Sequence, residues 1–188
     1  SVGVMWVKAE AYGRFEAYLD SGDADIYVKD IDINLTYKST SSAKSTQPGK
    51  GITVSGLSGK KNEAWAYSTT VGKAILDGDG NIYAKNFVKV LADGSGSVSE
   101  AVVEGNLLEI SGVKVAVNFA RANMRVDQEA YIGGSVKIDA GGEVSVISNV
   151  NNALSKGFLG SNGGRKGANI SLVSGDAQWS DAYVKMYN

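Results

Sequence analysis

The run Asp77-Gly78-Asp79-Gly80-Asn81 carries the side chains of this chain that are best suited to bind a metal ion. Oxygen ligands at alternate positions match the first part of an EF-hand calcium loop. The rest of such a loop is missing, because Ile82 replaces the required glycine and Val88 the bidentate glutamate. Asp and Gly also favour tight turns for backbone reasons. The sequence therefore predicts a turn, with Asp77, Asp79 and Asn81 as weak calcium candidates and no other cofactor.

The acid pair Asp30/Asp32 has the chemistry that glycoside hydrolases and lyases use. Both residues alternate with Ile31 and Ile33, as on a solvated strand face, and they recur in the second repeat only as Asn86/Val88. The chain has no His and no Cys, which excludes the common zinc and copper sites and the Ser-His and Cys-His nucleophile systems. We predict that the chain is not an enzyme, with a polysaccharide-acting β-helix enzyme as the alternative.

Aromatic residues fall on the face of the predicted strands that points outward. They are Tyr12, Tyr18, Tyr67, Tyr131 and Tyr183, with Trp65 in register nearby. Exposed aromatic rings can stack on sugars or anchor a protein partner, but tyrosine also suits strands by propensity and can form structural ladders. The ladder is the favoured interpretation. The candidate ligand-binding residues are Tyr18, Trp65, Tyr131 and Tyr183, with Asn162 and Arg165 in the polar loop at 157–167.

Composition narrows the possible partners. With 19 Lys and Arg against 20 Asp and Glu, the chain has no basic field to attract nucleic acid. No apolar run approaches the roughly 20 residues of a membrane span, and no signal peptide precedes the first strand pattern. We expect neither nucleic-acid binding nor membrane insertion, and we expect the chain to be a segment of a longer protein.

An internal repeat is the main organising feature of the sequence. Ala17-Tyr18-Leu19 recurs as Ala74-Ile75-Leu76 at a spacing of 57 (74 − 17), and as Ala130-Tyr131-Ile132 at a further 56 (130 − 74). We take Ala182-Tyr183-Val184, at a spacing of 52 (182 − 130), as a fourth copy. The landmarks predict a repeat with a period near 56.

A second landmark gives nearly the same period. Val54-Ser55-Gly56 returns as Ile110-Ser111-Gly112 at a spacing of 56 (110 − 54), and as Val173-Ser174-Gly175 at a spacing of 63 (173 − 110). The extra length of the third unit falls in the Gly/Asn/Ser-rich stretch from 157 to 167. We predict one segment over 1–188, with repeats at 1–56, 57–112 and 113–175 and a partial unit at 176–188.

Each unit opens with a long alternating strand and continues through a turn and several short strands. From Val7 to Leu19, odd positions are apolar or small and even positions are charged or tyrosine. This period of two indicates a strand with one buried and one solvated face. Ala and Gly crowd the inward face, so we expect the opposing layer to come close. No helical pattern competes with this interpretation.

Stacking would let neighbouring units cover each other's apolar faces, which favours an all-β parallel solenoid over a β-sandwich or barrel. We expect each unit to wind two or three times. That predicts a rod of roughly 30–45 Å, given the spacing of stacked strands.

The stretch from Tyr131 to Val146 resembles the repeats of large filamentous adhesins of Gram-negative bacteria, of the leukotoxin or filamentous haemagglutinin-like type. It reads YIGGSVKIDAGGEVSV and is followed by a Ser/Asn/Ala tail, Ser148 to Ala153. The likeness is strongest over 112–156, and the first two units have Lys29-Asp30 and Lys85-Asn86 in place of Ala-Gly-Gly. It implies a right-handed parallel β-helix and secretion to the cell surface.

The resemblance also implies a function in cell adhesion and virulence. We expect a stalk or binding surface of a filamentous protein, extracellular or at the bacterial surface. Its partners would be further repeats of the same chain and a host surface protein or glycan. The alternatives to this function are a carbohydrate-binding module, the enzyme named above and a fibre like a phage tail spike.

Overall fold

The computed structural model describes residues 2–46, 52–104, 108–159 and 169–187. In these ranges the chain forms thirteen β-strands and no helix. The strands are β1 (Val2–Asp20), β2 (Ile26–Val28), β3 (Ile31–Thr36), β4 (Thr40–Thr46), β5 (Ile52–Asp77), β6 (Asn81–Ala84), β7 (Val88–Asp93), β8 (Val98–Glu104), β9 (Leu108–Ile132), β10 (Lys137–Ala140), β11 (Val144–Asn149), β12 (Leu154–Leu159) and β13 (Asn169–Tyr187).

The strands form four parallel sheets that run side by side along one axis. The long strands make one sheet in the order β1-β5-β9-β13. The short strands make three more, β2-β6-β10, β3-β7-β11 and β4-β8-β12. This confirms the predicted parallel β-solenoid, and the antiparallel sandwich or barrel is wrong. The right-handed winding stays a prediction.

Each repeat is a single turn of the solenoid, so the predicted two or three windings per unit are wrong. β1 pairs directly with β5, where Leu19 lies beside Leu76, and β5 pairs directly with β9, where Leu76 lies beside Ile132. The long strand, 26 residues in β5, occupies one side of a wide turn, and three short strands share the rest. From β1 to β13 the stack spans three strand spacings, about 14 Å instead of the expected 30–45 Å.

The register confirms the earlier copies of both sets of repeat landmarks, including Val54 beside Ile110, and corrects the last copy of each set. Leu19, Leu76 and Ile132 occupy equivalent inward positions, as the sequence spacing predicts. The fourth copy is wrong, because Tyr183 lies beside Asn123 and not beside Tyr131. Val173 likewise pairs with Val113 and not with Ile110.

The correction follows from a smaller insertion than the sequence indicated. Paired residues of β8 and β12 are 56 positions apart in the sequence, up to the last pair, Val103 with Leu159. Paired residues of β9 and β13 are 60 positions apart, as in Ile110 with Ile170. The third unit therefore gains four residues (60 − 56) between Leu159 and Asn169. Gly157 belongs to β12, and the expected unit boundary at 175/176 lies within β13.

The interior has a wide half and a narrow half. Aliphatic side chains fill the space between the ends of the long strands and the β2 and β3 sheets, with Leu76, Ile82, Val88 and Val90 fully buried. Alanines fill the space between the middle of the long strands and the β4 sheet.

Serine hydroxyls cross the narrow half. Ser99 Oγ donates to the Ala66 carbonyl at 3.1 Å, and Ser155 Oγ donates to the Ala122 carbonyl at 2.7 Å. Direct bonds from a side chain of one layer to the backbone of the other require closely spaced layers. The close approach predicted from the Ala-rich inward face is thereby confirmed.

A buried polar group joins the two halves. The Tyr37 hydroxyl donates to Gln128 Oε1 at 3.0 Å, and Gln128 Nε2 donates to the carbonyls of Ala92 and Asn149. A Cβ atom at Gly72 would collide with the Tyr37 ring, so only glycine fits beside it. Burial of the phenol, with repulsion from nearby carboxylates, raises the pKa of Tyr37 to about 12.

Replacing the central core residue should destabilise the whole stack. We expect Leu76→Ala, at a fully buried position, to lower the free energy of unfolding by about 2–5 kcal/mol through lost burial and the cavity left behind. The matched control is Val4→Ala at an exposed position of β1, which should change the free energy of unfolding by no more than about 0.5 kcal/mol. Urea unfolding followed by circular dichroism measures both. Equal effects would contradict the assignment of the core.

The raised pKa of Tyr37 makes part of the stability pH-dependent. The pKa of the phenol is near its ordinary value of 10.0 in the unfolded chain and near 12 in the folded chain. The stability that the buried, neutral phenol contributes is therefore complete below pH 10 and is lost as the pH rises from 10 through 12. Tyr37→Phe should have lower stability at neutral pH but a smaller decline across this window. Tyr12→Phe, at an exposed position, is the control and should decline as the unmodified chain does. An unchanged slope in Tyr37→Phe would rule out this linkage.

Candidate functional site

The Asp/Gly turns use their carboxylates to hold the backbone. Asp77 Oδ1 accepts a hydrogen bond from the Gly78 amide at 2.9 Å, and Asp79 Oδ1 accepts one from the Ser135 amide of the next turn at 3.1 Å. The third candidate, Asn81, donates its amide to Asp25 Oδ1 at 2.7 Å. These bonds support the predicted turn. In the described part of the chain, no cluster of three or more acidic, His or Cys side chains is arranged to hold a metal ion.

The acid pair does not recur in the way the sequence indicated. The ladder between β3 and β7 places Ile31 beside Val88, so Asp32 lies beside Lys89 and not beside Val88. The next turn therefore has a lysine, and not an acid, at the position equivalent to Asp32. This register gives no support to acid–base chemistry at Asp30 and Asp32.

The outward tyrosines lie on the predicted face but do not form one column. Tyr18 and Tyr131 flank Ile75, which is only 4% exposed although it points outward. Tyr183 lies beside Asn123, eight residues before Tyr131 on β9 and thus about 26 Å along the strand. The expected tyrosine ladder on this face is wrong, because Ile75 separates Tyr18 from Tyr131 and the fourth landmark was misaligned.

Trp65 belongs to a compact group of aromatic and cationic side chains on the same face. Its ring lies 5.7 Å from the ring of Phe119 and 6.0 Å from that of Tyr67, and the Arg121 guanidinium lies 5.5 Å from its centroid. The group packs mainly on itself, and Trp65 is only partly exposed. Asn162 and Arg165, the remaining candidates, lie outside the described residues.

The stacked aromatic ladder lies on another sheet, at two tyrosines that are not among the predicted binding residues. Tyr27 on β2 and Tyr83 on β6 lie face to face, with ring centroids 4.7 Å apart and planes 9° from parallel. The two tyrosines are separated by the period of the repeat, 56 (83 − 27), so the repeat itself carried this signal. Asp139 of β10 occupies the same position in the third turn.

An open groove of about 670 Å³ runs beside this stack. The rings of Tyr27 and Tyr83 line it together with Lys29, Lys85, Asp139 and Gly141. Desolvation, with added repulsion from the carboxylates of Asp25 and Asp139, raises the pKa of Tyr83. Its phenol therefore stays protonated at neutral pH.

The two lysines and the aspartate of this groove are exposed, and none of them forms an ion pair or side-chain hydrogen bond with any residue that the structure describes. Charged groups without an internal partner next to exposed aromatic rings are available to a ligand. This combination makes the groove the strongest candidate binding site among the described residues.

The turn interpretation of Asp77 can be tested against the calcium interpretation. Asp77→Ala should lower the free energy of unfolding by about 1 kcal/mol through loss of the bond to Gly78. The loss should be the same in EDTA and in Ca²⁺ at about 1 mM, where a bound ion would add stability. Asp23→Ala, an exposed acid of the neighbouring turn, is the control. A rise in Tm on adding Ca²⁺ that disappears in Asp77→Ala would establish a calcium site instead.

Comparison with models of known protein families, with curated proteins and with solved structures finds no match to this chain. Within the ranges that the structure describes, no helix has the length and apolar character needed to cross a membrane.

Proposed function

We propose that this chain is a stalk segment of a secreted or surface-anchored bacterial filamentous protein, with binding surfaces along its sides. The observation that supports this most directly is how burial depends on the neighbouring turn. Along β9, the inward side chains from Ala120 to Gln128 are fully buried, and β13 reaches as far as Asp127. Beyond that point, Ala130 and Ile132 on the same face are partly exposed.

The end of β1 in the first turn and β11 in the third turn show the same dependence on a neighbouring turn. On β1, the inward residue Leu19 is partly exposed, whereas its partner Leu76 in the second turn is fully buried. In the third turn, Val144 and Val146 are 46% and 45% exposed, whereas Val88 and Val90 in the second are fully buried. Each end therefore presents apolar side chains in the spacing that another turn of the same kind would cover.

Such a stack supports extension without a change of cross-section. Each added turn buries the apolar face of the previous one and occupies its unpaired strand edge, so stability accumulates from neighbour to neighbour. The lateral surfaces of the solenoid stay accessible however many turns are added. They carry the exposed side chains of Tyr18, Tyr131 and Tyr183. A rod that lengthens while its sides remain free suits a spacer that holds binding surfaces away from a cell.

Lengthening the stack tests this proposal. Two further copies of residues 57–112 inserted after Gly112 keep the register, because Leu57 and Val113 are paired neighbours. We expect the particle to lengthen along one axis by about 10 Å in small-angle X-ray scattering and its Tm to rise. The control insert has the same composition in scrambled order. A lower Tm or growth in all directions would contradict the stacking role.

The cellular part of the proposal has its own measurement. An antibody against the chain should label intact source cells, and added protease should remove the label. Labelling that requires permeabilised cells would overturn the surface location while leaving the stacking result unaffected.

A further inference from the structure

The aromatic ladder of the β2-β6-β10 sheet is missing its third rung. Tyr27 covers one face of the Tyr83 ring, and the next position along the sheet holds the shorter Asp139. Tyr83 keeps 36% of its surface exposed although one of its faces is covered. The stack thus ends in an open slot over Tyr83, where the next turn carries no ring.

The side wall of the groove changes at the same turn. Lys29 and Lys85 follow the two tyrosines in the first and second turns, and Gly141 follows Asp139 in the third. The Gly141 amide donates to the Ala84 carbonyl at 3.0 Å, and a Cβ atom at Gly141 would collide with the carbonyl of Lys85. The backbone therefore requires glycine here, and no side chain closes the slot from this side.

One unpaired cation and one unpaired anion border the slot. Lys85 and Asp139 are exposed, and neither forms an ion pair or side-chain hydrogen bond with a described residue. Lys29 and Asp25 add one further charge of each sign nearby, so the charges around Tyr83 balance, which favours an uncharged ligand that both donates and accepts hydrogen bonds. An ionic ligand would meet one like charge at close range, which raises its desolvation and repulsion costs.

We propose that this slot binds a neutral hexopyranose unit of a glycan, with the apolar C–H face of the sugar on the free face of Tyr83. A pyranose ring combines that apolar face with a rim of hydroxyls. The rim can donate to the Asp139 carboxylate and accept from the Lys85 ammonium, while the ring takes the place of the missing rung. Apolar stacking with a few convergent polar groups is the usual composition of a small-ligand site.

The binding experiment uses three neutral probes, maltohexaose, cellohexaose and galactohexaose, titrated into the ¹⁵N-labelled chain. We expect at least one to saturate with a Kd on the order of 1 mM and to shift the amide signals around Tyr83 and Gly141. Trigalacturonate and adenosine are the charged and aromatic controls and should bind more weakly. The proposal fails if none of the neutral probes saturates by about 10 mM, or if adenosine binds in their place.

Substitutions locate the site. Tyr83→Ala should abolish saturation, and Asp139→Ala should raise the Kd roughly tenfold, because the hydrogen bond from the sugar to the carboxylate is lost. Tyr12→Ala on the long-strand sheet removes a tyrosine that is more exposed than Tyr83 and should leave the Kd unchanged. Equal Kd values for all three variants would place binding elsewhere.

A substitution that fills the slot separates binding from folding. Asp139→Tyr supplies the third rung, so it should raise Tm by about 2–4 °C while abolishing sugar binding. A variant that melts higher and still binds would overturn the proposed position, and one that melts lower would show that the slot cannot hold a ring. None of these results depends on the proposed stalk role, which the insertion experiment tests separately.

Discussion

In-register pairing between turns is the constraint on which the rest of this structure depends. Each long strand lies beside its equivalent in the next turn, at a sequence spacing of 57 for β1 and β5, 56 for β5 and β9, and 60 for β9 and β13. Side chains at equivalent positions therefore stack on one another, and a turn on each side completes the burial of the inward side chains at the end of the long strands. Leu76 in the middle turn is fully buried, whereas Leu19 and Ile132 on either side are not. Stability in this arrangement belongs to the stack and not to the single turn.

The narrow half of the interior shows how the same constraint limits composition. A position that repeats in every turn must hold a side chain that fits against its own copies and against the opposite layer. Ala66 and Ala122 are small enough to fit against each other in neighbouring turns. Ser99 and Ser155 fit against the opposite layer, because their hydroxyls donate to the carbonyls of those alanines. Larger aliphatic residues would force the layers apart, and they are found where the β2 and β3 sheets leave more room. The Ala/Ser pattern is thus a consequence of layer spacing.

The fold was predictable to the extent that it depends on periodicity. Strict alternation from Val7 to Leu19 indicated the long strand, and the period of the repeat aligned Leu19 with Leu76 before any pairing was known. The number of turns per unit was not predictable, because alternation does not show where a chain bends around a corner. The misplacement of Tyr183 had another cause, since three residues of weak similarity cannot locate a four-residue insertion. Tyr27 and Tyr83 were detectable from their spacing, whereas the groove beside them depends on which sheet forms each corner.

Departures from the repeat are informative because stacking of equivalent positions favours the same residue type in every turn. The position of Tyr27 and Tyr83 holds Asp139 in the third turn, and a carboxylate gains nothing from contact with an aromatic face. A third tyrosine would extend the ladder, so aspartate at this position gives up local stability. Gly141 alters the neighbouring position in the same turn, where the earlier turns carry lysine. Asp139 adds a hydrogen-bond acceptor, and Gly141 removes a side chain. Together, these two neighbouring departures open space over the exposed ring of Tyr83. Sequences that depart from local structural preference at one point commonly do so where they bind something.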